Sequence, residues 1–594
     1  MNRLHASVKA ALVMGAILAA CALIPTAEIA SIFAHPQRVA RLDGAIPEAT
    51  MRGALWFRLG LVMAAIAIPA LAVAFVRALG TRKTIDTPLR ERASQRELIL
   101  LAAITAVGLV LRAALASESL WYDEISALVS FALEGPGVAF GSYAVPTNHV
   151  PMTLAMWAMT SITGGVSEWA LRFPAVVAGV IAIPVAWALA RELAPSAWAA
   201  RAGICAALVV AIAPIPAIES AEARGYAFVI SASLVAALAL ARLTRTHAIG
   251  DAILVGVACA LAAWSHPVAL VLPASIGAAG FARLVFMRRH GTAEDGAVAR
   301  TMLFAALLAA AIAAPLLAPL VADALAHRGD YLRSTAEQAG IVSREGVESL
   351  MGLSLSWSLG LPTAPWAPLT TMLGEFILPP VVLLALFLAG AWRIARDPSL
   401  ARTRAVALPF ILAFTLALLL AAVAGTWLYA RFFLFALPAS ILAIAFTLSA
   451  PAKRRTRVLL MVALVSQCAV ALPIYWRKQP IRDAVDAVAA MRADGDIVLT
   501  IGLPDNAAGF YAALSGFEAV PSGFLGADFE RVVASAPRPP RFVVVLYPDR
   551  LDASVLAMLD TRFDRTHRFE GWADWGQGAV EVWRAARPAP GPSK

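Results

Sequence analysis

The chain has 594 residues, 60% of them hydrophobic and only 15% charged, whereas a soluble domain of ordinary composition carries roughly 25% charged residues. Its apolar residues gather in runs of about 17 to 24, the length that crosses a hydrocarbon core of ~30 Å, which excludes a wholly soluble fold and makes the lipid bilayer a partner of the whole chain. The formal charge of +10 comes from Lys and Arg clustered between those runs, a topological signature rather than a nucleic-acid surface, so no nucleic-acid partner is expected.

The first run, Ser7 to Ile24, follows Arg3. Leu18-Ala19-Ala20-Cys21 imitates a lipoprotein cleavage box, but hydrophobicity continues past Cys21, so an uncleaved span is expected rather than a signal peptide. Further runs are Leu55 to Val76, Leu98 to Ala116, Phe173 to Ala190, Ala202 to Ile218 and Tyr226 to Ala241. Ala252 to Ser265, Pro267 to Phe286, Met302 to Ala322, Phe376 to Trp392, Ala405 to Ala424, Phe432 to Leu448 and Val458 to Ile474 complete the series. The expected fold is a polytopic α-helical membrane protein of about 13 spans.

With the N-terminus in the cytoplasm, the alternate loops holding Arg77 to Arg96, Arg191 and Arg201, Arg242 and Arg245, Arg283 to Arg300, Arg393 to Arg404 and Lys453 to Arg457 all fall inside. Arg38, Arg41 and Arg52, in the first outer loop, are the exceptions. This topology makes a multi-pass protein with its C-terminal segment on the non-cytoplasmic side. Cys21, Cys205, Cys259 and Cys468 lie within apolar runs with no CxxC or His partner, so disulfide and metal roles are not expected. No internal repeat is legible, unlike the duplicated halves of many transporters.

After Ile474 the composition changes. Ile481 to Ala493 has helical spacing, Asp496 to Ile501 and Arg541 to Tyr547 are short β-rich runs, and Leu551 to Leu559 is helical again. The expected organisation is therefore three parts: 1–97 with two N-terminal helices and a basic loop, 98–474 as a transmembrane module with a large outer loop at 117–172, and 475–594 as a small α/β domain.

Chemistry-bearing residues gather on the outer side. From Ser117 to Pro151 there is no Lys or Arg, while Glu118, Asp123, Glu124, Glu134 and His149 are interleaved with aromatics such as Trp121 and Tyr122. Asp123 suits a general base. Glu124 is open as helper, metal ligand or helix-capping neighbour, and a divalent cation, Mg or Mn on Asp123, Glu124 and His149, is the one cofactor left open. His149 precedes a half-length apolar segment, Met152 to Ile162, that reads as a re-entrant or interfacial helix with His149 as its cap. Glu222, Arg224 and Tyr226 form the next outer turn, where Arg224 either pairs with Glu222 or meets a phosphate. His266, before Pro267, and Tyr429 and Arg431 repeat the theme of polar groups at outer helix ends.

The ordered segments resemble the GT-C class of glycosyltransferases, in particular the family 39 and 83 group that includes protein mannosyltransferases and the lipid A aminoarabinose transferase. Trp121-Tyr122-Asp123-Glu124 resembles the acidic motif of the first large outer loop, and Pro146-Thr147-Asn148-His149-Val150-Pro151 an Asn-His-Pro-Pro-like segment with Val150 in place of the first proline. Ser167 to Pro174, Glu222 to Tyr226, Ser265-His266, Tyr429 to Phe432 and Gln479 to Arg482 follow in the family's order. The resemblance implies transfer of a sugar, with inversion, from a polyprenyl-phosphate donor to a cell-envelope lipid, glycan or protein acceptor on the outer face of the cytoplasmic (inner) membrane. It implies catalytic roles for Asp123 and Glu124 and substrate or phosphate binding by His149, Glu222, Arg224, Tyr226, His266, Tyr429 and Arg431. A lipid-linked saccharide transporter and a catalytically degenerate scaffold are the alternatives.

Overall fold

A computed structural model describes residues 2–79, 92–246, 248–290, 293–327, 379–424, 430–450, 453–474, 476–503, 506–573 and 578–586. Tyr429 lies outside the described residues, as does the start of the run expected from Phe376. Each of the other twelve expected runs, and the described part of that one, falls on helix. Among the described residues eight helices are long and apolar enough to cross a membrane, or nine with the pair Ser7–Cys21 and Thr26–Phe33, bent at 87°. Two of the expected runs are shorter apolar helices, Ser196–Ile212 and Ile249–Ser265.

The bundle is held by small residues. Its largest core cluster alternates Ala with Val, Leu, Ile and Phe from Phe75 to Cys468, and such stripes let helix backbones approach closely where lipid supplies no hydrophobic drive. Arg112, fully buried in the helix Gln95–Leu115, ties this packing with hydrogen bonds to the carbonyls of Val210, Ala211 and Pro216 at 2.8, 3.0 and 3.3 Å. It thereby satisfies carbonyls left open where Ala199–Ile212 breaks before Pro214.

The half-length segment is the helix Val150–Thr163. His149 occupies its N-cap position, but its side chain makes no capping bond. The expected cap is corrected: the ring turns to the loop that carries Arg224, as described below.

The C-terminal part forms a five-stranded sheet of β1 (Val498–Gly502), β2 (Ala519–Phe524), β3 (Phe542–Leu546), β4 (Phe563–Phe569) and β5 (Val580–Ala585), in the order β2-β1-β3-β5-β4. β1 runs parallel to β2 and β3, whereas β5 is antiparallel to β3 and β4. One face of this mixed sheet and the helices Ile481–Met491 and Ala507–Leu514 share a core with Leu120, Trp121, Tyr122 and Ile125 of the first large loop. The small domain is thus packed against the end of the bundle where the polar motifs lie. Tyr511 Oη accepts the Leu120 N–H at 2.7 Å and Arg482 donates to Glu168 at 2.7 Å, fixing that contact.

Candidate active site

Local structure begins with Glu124. It sits in the first turn of the short helix Tyr122–Ala127 and is fully buried. Its Oε2 accepts the Trp121 N–H at 3.1 Å and its Oε1 the Ala223 N–H at 2.5 Å. Arg172 supplies two more donors, Nε to Oε1 at 2.8 Å and Nη2 to Oε2 at 2.5 Å. A carboxylate offers about four lone-pair positions, and here four donors fill them. Glu124 therefore has no lone pair left for a reacting proton or a metal. Of its open readings, the helix-capping one fits the geometry, extended by a buried ion pair.

Arg172 is equally saturated. Its remaining N–H groups reach the carbonyls of Ala116, Glu118 and Ser119 at 3.2, 2.5 and 2.8 Å, so all five guanidinium donors are used. Removing one member of such a pair leaves an uncompensated buried charge, at a cost of about 3–5 kcal/mol. Arg172, Glu124 and the Ala223 backbone together bring the loop 220–225 beside the helix that carries Asp123.

Asp123 points the other way. Arg224 Nη2 stands 3.4 Å and Arg431 Nη2 3.5 Å from its Oδ2. Its side chain is 16% exposed against 3% and 9% for the two arginines, so the carboxylate is the opening of the cluster. Arg224 is oriented by the Thr147 carbonyl at 2.7 Å, and its buried Nε has no hydrogen-bond partner among the described residues. Arg431 Nε donates to Tyr226 Oη at 3.0 Å, and its guanidinium lies 5.5 Å from the centre of the Trp121 ring. The expected alternative pairing of Arg224 with Glu222 is corrected: Arg224 faces Asp123.

His149 Nδ1 accepts the Gly225 N–H at 2.8 Å. A side chain at Gly225 would put its Cβ 2.6 Å from the Ser265 carbonyl oxygen and 2.7 Å from this Nδ1, so only glycine permits the approach. Burial, reinforced by Arg224, His266 and Arg431, holds His149 well below the usual imidazole range. The ring is neutral, and with Nδ1 accepting, its proton is on Nε2. That N–H faces Arg224 Nη2 at 3.2 Å. Two donors facing each other make a place that an acceptor oxygen would fill. His266 packs edge-to-face on His149 at 5.2 Å, and burial, then Arg224 and Arg431, pushes it down to about 3. Its buried Nδ1 has no hydrogen-bond partner among the described residues.

Glu222, for which the resemblance implies substrate binding, accepts Trp121 Nε1 at 3.1 Å and Lys478 Nζ at 2.8 Å. Burial raises its carboxyl above the usual carboxylate range, with Lys478 opposing. Lys478 also lies over the Trp121 and Trp572 rings at 3.9 and 4.6 Å, joining the small domain to the site. Glu222 is thus a link between the two, because both of its oxygens are engaged.

The residues proposed for a divalent cation do not fit one. Glu124 is saturated, the His149 acceptor nitrogen is taken, and Asp123 faces two guanidinium groups. Among the described residues no group of three or more His, Cys, Asp and Glu is arranged to hold a metal ion.

Sequence reasoning brought forward Asp123, His149, Arg224, Tyr226, His266 and Arg431, and the fold gathers them. The sequence assigns no site role to Lys478 or Tyr511, nor to Arg172 and Gln479, although these two lie in segments that carry the resemblance; the Gln479 side-chain oxygen accepts the Tyr122 N–H at 3.0 Å. Arg172 carried a signal, a charge at the margin of an apolar run. The others are contacts between distant segments.

The family model described as dolichyl-phosphate-mannose-protein mannosyltransferase matches residues 148–318. This is within the group that the sequence segments resemble, and the matched stretch holds His149, Arg224 and His266 but neither Asp123 nor Arg431. A search of curated proteins found no match. Among solved structures, ArnT from Cupriavidus metallidurans bound to undecaprenyl phosphate is 12% identical with a TM-score of 0.48, over 84% of this chain and 100% of that one. The archaeal oligosaccharyltransferase AglB from Archaeoglobus fulgidus, in complex with an inhibitory peptide and a dolichol-phosphate, is 14% identical with a TM-score of 0.47, over 78% of this chain and 71% of that one.

Proposed function

We propose that this chain is a GT-C-type membrane glycosyltransferase. It moves a sugar from a polyprenyl-phosphate donor to a cell-envelope lipid, glycan or protein on the outer face of the cytoplasmic membrane. The observation that carries the reading is the convergence of two buried arginines from separate segments, Arg224 and Arg431, on the partly exposed Asp123 carboxylate. The family match over 148–318 supports it independently.

Asp123 takes the proton of an acceptor hydroxyl as its oxygen attacks the anomeric carbon. The bond from that carbon to the phosphate oxygen breaks on the opposite face, so configuration inverts. Negative charge grows on the departing lipid phosphate, and preorganised cations in a dry site stabilise such charge strongly. Arg224 and Arg431 supply them, and the facing N–H groups of Arg224 and His149 supply a further anchor for one phosphate oxygen. An apolar cavity of about 740 Å³ between Met302, Phe387, Phe410, Phe414 and Ala436 offers room for part of a prenyl chain.

The test is transfer by the purified full chain, supplied with a panel of polyprenyl-phosphate sugars and with lipid, glycan and peptide acceptors. Sugar transfer from at least one such donor, with none from the matching nucleotide sugar, is expected. Transport of the intact lipid-linked sugar across proteoliposomes without transfer would instead establish the transporter alternative.

A further inference from the structure

The N-terminal extension, with helices Asn2–Cys21, Thr26–Phe33, Pro36–Ala40 and Glu48–Leu79, has no part in the chemistry above. Two of its side chains reach into the rest of the molecule at positions that bear on the site. His35 Nδ1 accepts the Gln37 N–H at 3.2 Å, which leaves Nε2 to donate to the Ser130 carbonyl at 3.1 Å. Ser130 lies in the π-helical turn Leu128–Ala132, the direct continuation of the helix that carries Asp123.

Arg38 Nη1 pairs with Asp323 at 2.9 Å, and Asp323 is almost fully buried. Its Nη2 meets Nε2 of His327 at 2.7 Å, while His327 Nδ1 donates to the Asp323 carbonyl at 2.9 Å. Asp323 Oδ2 in turn accepts the Tyr143 N–H at 2.6 Å and the Ser142 hydroxyl at 3.2 Å. The Ser142 carbonyl accepts Asn148 Nδ2 at 2.7 Å, and the Ala139 carbonyl accepts the same nitrogen at 2.8 Å. Asn148 stands between Thr147, whose carbonyl orients Arg224, and His149, which faces it.

Apolar packing follows the same line. Phe33 and Phe57 each lie 5.6 Å from Phe140 between ring centres. A Cβ at Gly141 would come within 2.2 Å of the Phe33 ring, so this glycine is what lets the extension lie flat on the loop. Anchoring in a bilayer would need none of these polar contacts.

We infer that the N-terminal extension is a brace that positions the donor-phosphate site, with Arg38 as a positioning residue acting through Asp323, Ser142 and Asn148 on Thr147, His149 and Arg224. The consequence for transfer rests on the function proposed above; the brace itself does not. Loss of Arg38 leaves Asp323 buried beside the Tyr143 N–H and the Ser142 hydroxyl without the guanidinium that holds it, and the segment 139–149 loosens.

Hydrogen exchange of the full chain in detergent, read by mass spectrometry, tests this on wild type, Arg38→Ala and Arg38→Lys. Arg38→Ala is expected to speed exchange over 139–149 about tenfold, the worth of one charged hydrogen bond, and Arg38→Lys to recover part of it. Exchange over Tyr226–Thr246 stays as in wild type. Unchanged exchange over 139–149, or an increase spread evenly along the chain, overturns the brace. In the transfer assay Arg38→Ala raises KM for the lipid donor with a smaller change in kcat. A wild type that transfers no sugar sinks the proposed function, while the exchange result still decides the brace.

Discussion

The helix Glu168–Leu193 joins two regions that each set a carboxylate against two arginines, about 30 Å apart by the rise between Arg172 and Glu192. At one end Glu192 Oε1 accepts Arg245 Nε at 2.8 Å and Arg402 Nη2 at 2.9 Å. These are closed, charge-assisted bonds that tie three helices together. At the other end the Asp123 carboxylate meets Arg224 and Arg431 at 3.4 and 3.5 Å. A buried Nε without a hydrogen-bond partner among the described residues occurs in both clusters, on Arg402 and on Arg224, so the difference between them lies in the contact distances. Equal charge therefore serves two ends: the tight cluster is a staple, and the loose one retains capacity for an anion and a proton.

The largest effect expected from this contrast is on turnover. Asp123→Asn should cut sugar transfer by about 10²–10⁴-fold, the usual worth of a general base, whereas Glu192→Gln should leave the rate near wild type. Equal losses in the two variants would erase the distinction between the regions. Next in size, Arg224→Ala should raise the donor KM roughly ten- to a hundredfold, with Arg224→Lys in between because lysine keeps the charge but not the planar fork. Steady-state kinetics across donor concentrations measure it, and an unchanged KM in both variants would remove Arg224 from phosphate binding.

Smaller effects concern stability. Glu192→Gln should lower the melting temperature by roughly 2–4 °C, and an unaltered melting curve would mean that the closed cluster staples nothing. His266 titrates near 3 in the fold and near ~6.5 when unfolded, so the unfolded chain binds more protons as pH drops. Wild type should lose stability from pH 7 toward 5 by up to ~1.4 kcal/mol per pH unit for this group. His266→Asn should flatten that slope, and parallel slopes would contradict the buried neutral ring.

Much of this was legible in the sequence, because the bilayer imposes strong patterns. Apolar runs located the helices, and the motif order brought forward five residues that the fold gathers around Asp123. Other features were hidden by edges and distance. β4 reads Phe563-Asp564-Arg565-Thr566-His567-Arg568-Phe569 and is exposed along most of its length, so no alternation marks it. β2, the opposite edge, contains Pro521 and Gly523, which look like loop residues and are tolerated at an edge. Glu124 misled for another reason: its neighbour Asp123 invites reading the two as a catalytic pair, and only the position of Arg172, 48 residues on, turns Glu124 into the loop. Lys478 pairs with Glu222 from 256 residues away, a contact no local pattern encodes.

The central claim is that Asp123, Arg224 and Arg431 form a site for a lipid-linked phosphate with a base beside it. Binding of polyprenyl monophosphate to the purified full chain, compared among wild type, Asp123→Asn, Arg224→Ala and Glu192→Gln, tests it most directly. The expected result is affinity weakened at least tenfold in Arg224→Ala and retained in Asp123→Asn and Glu192→Gln. Equal affinity in all four proteins would contradict it.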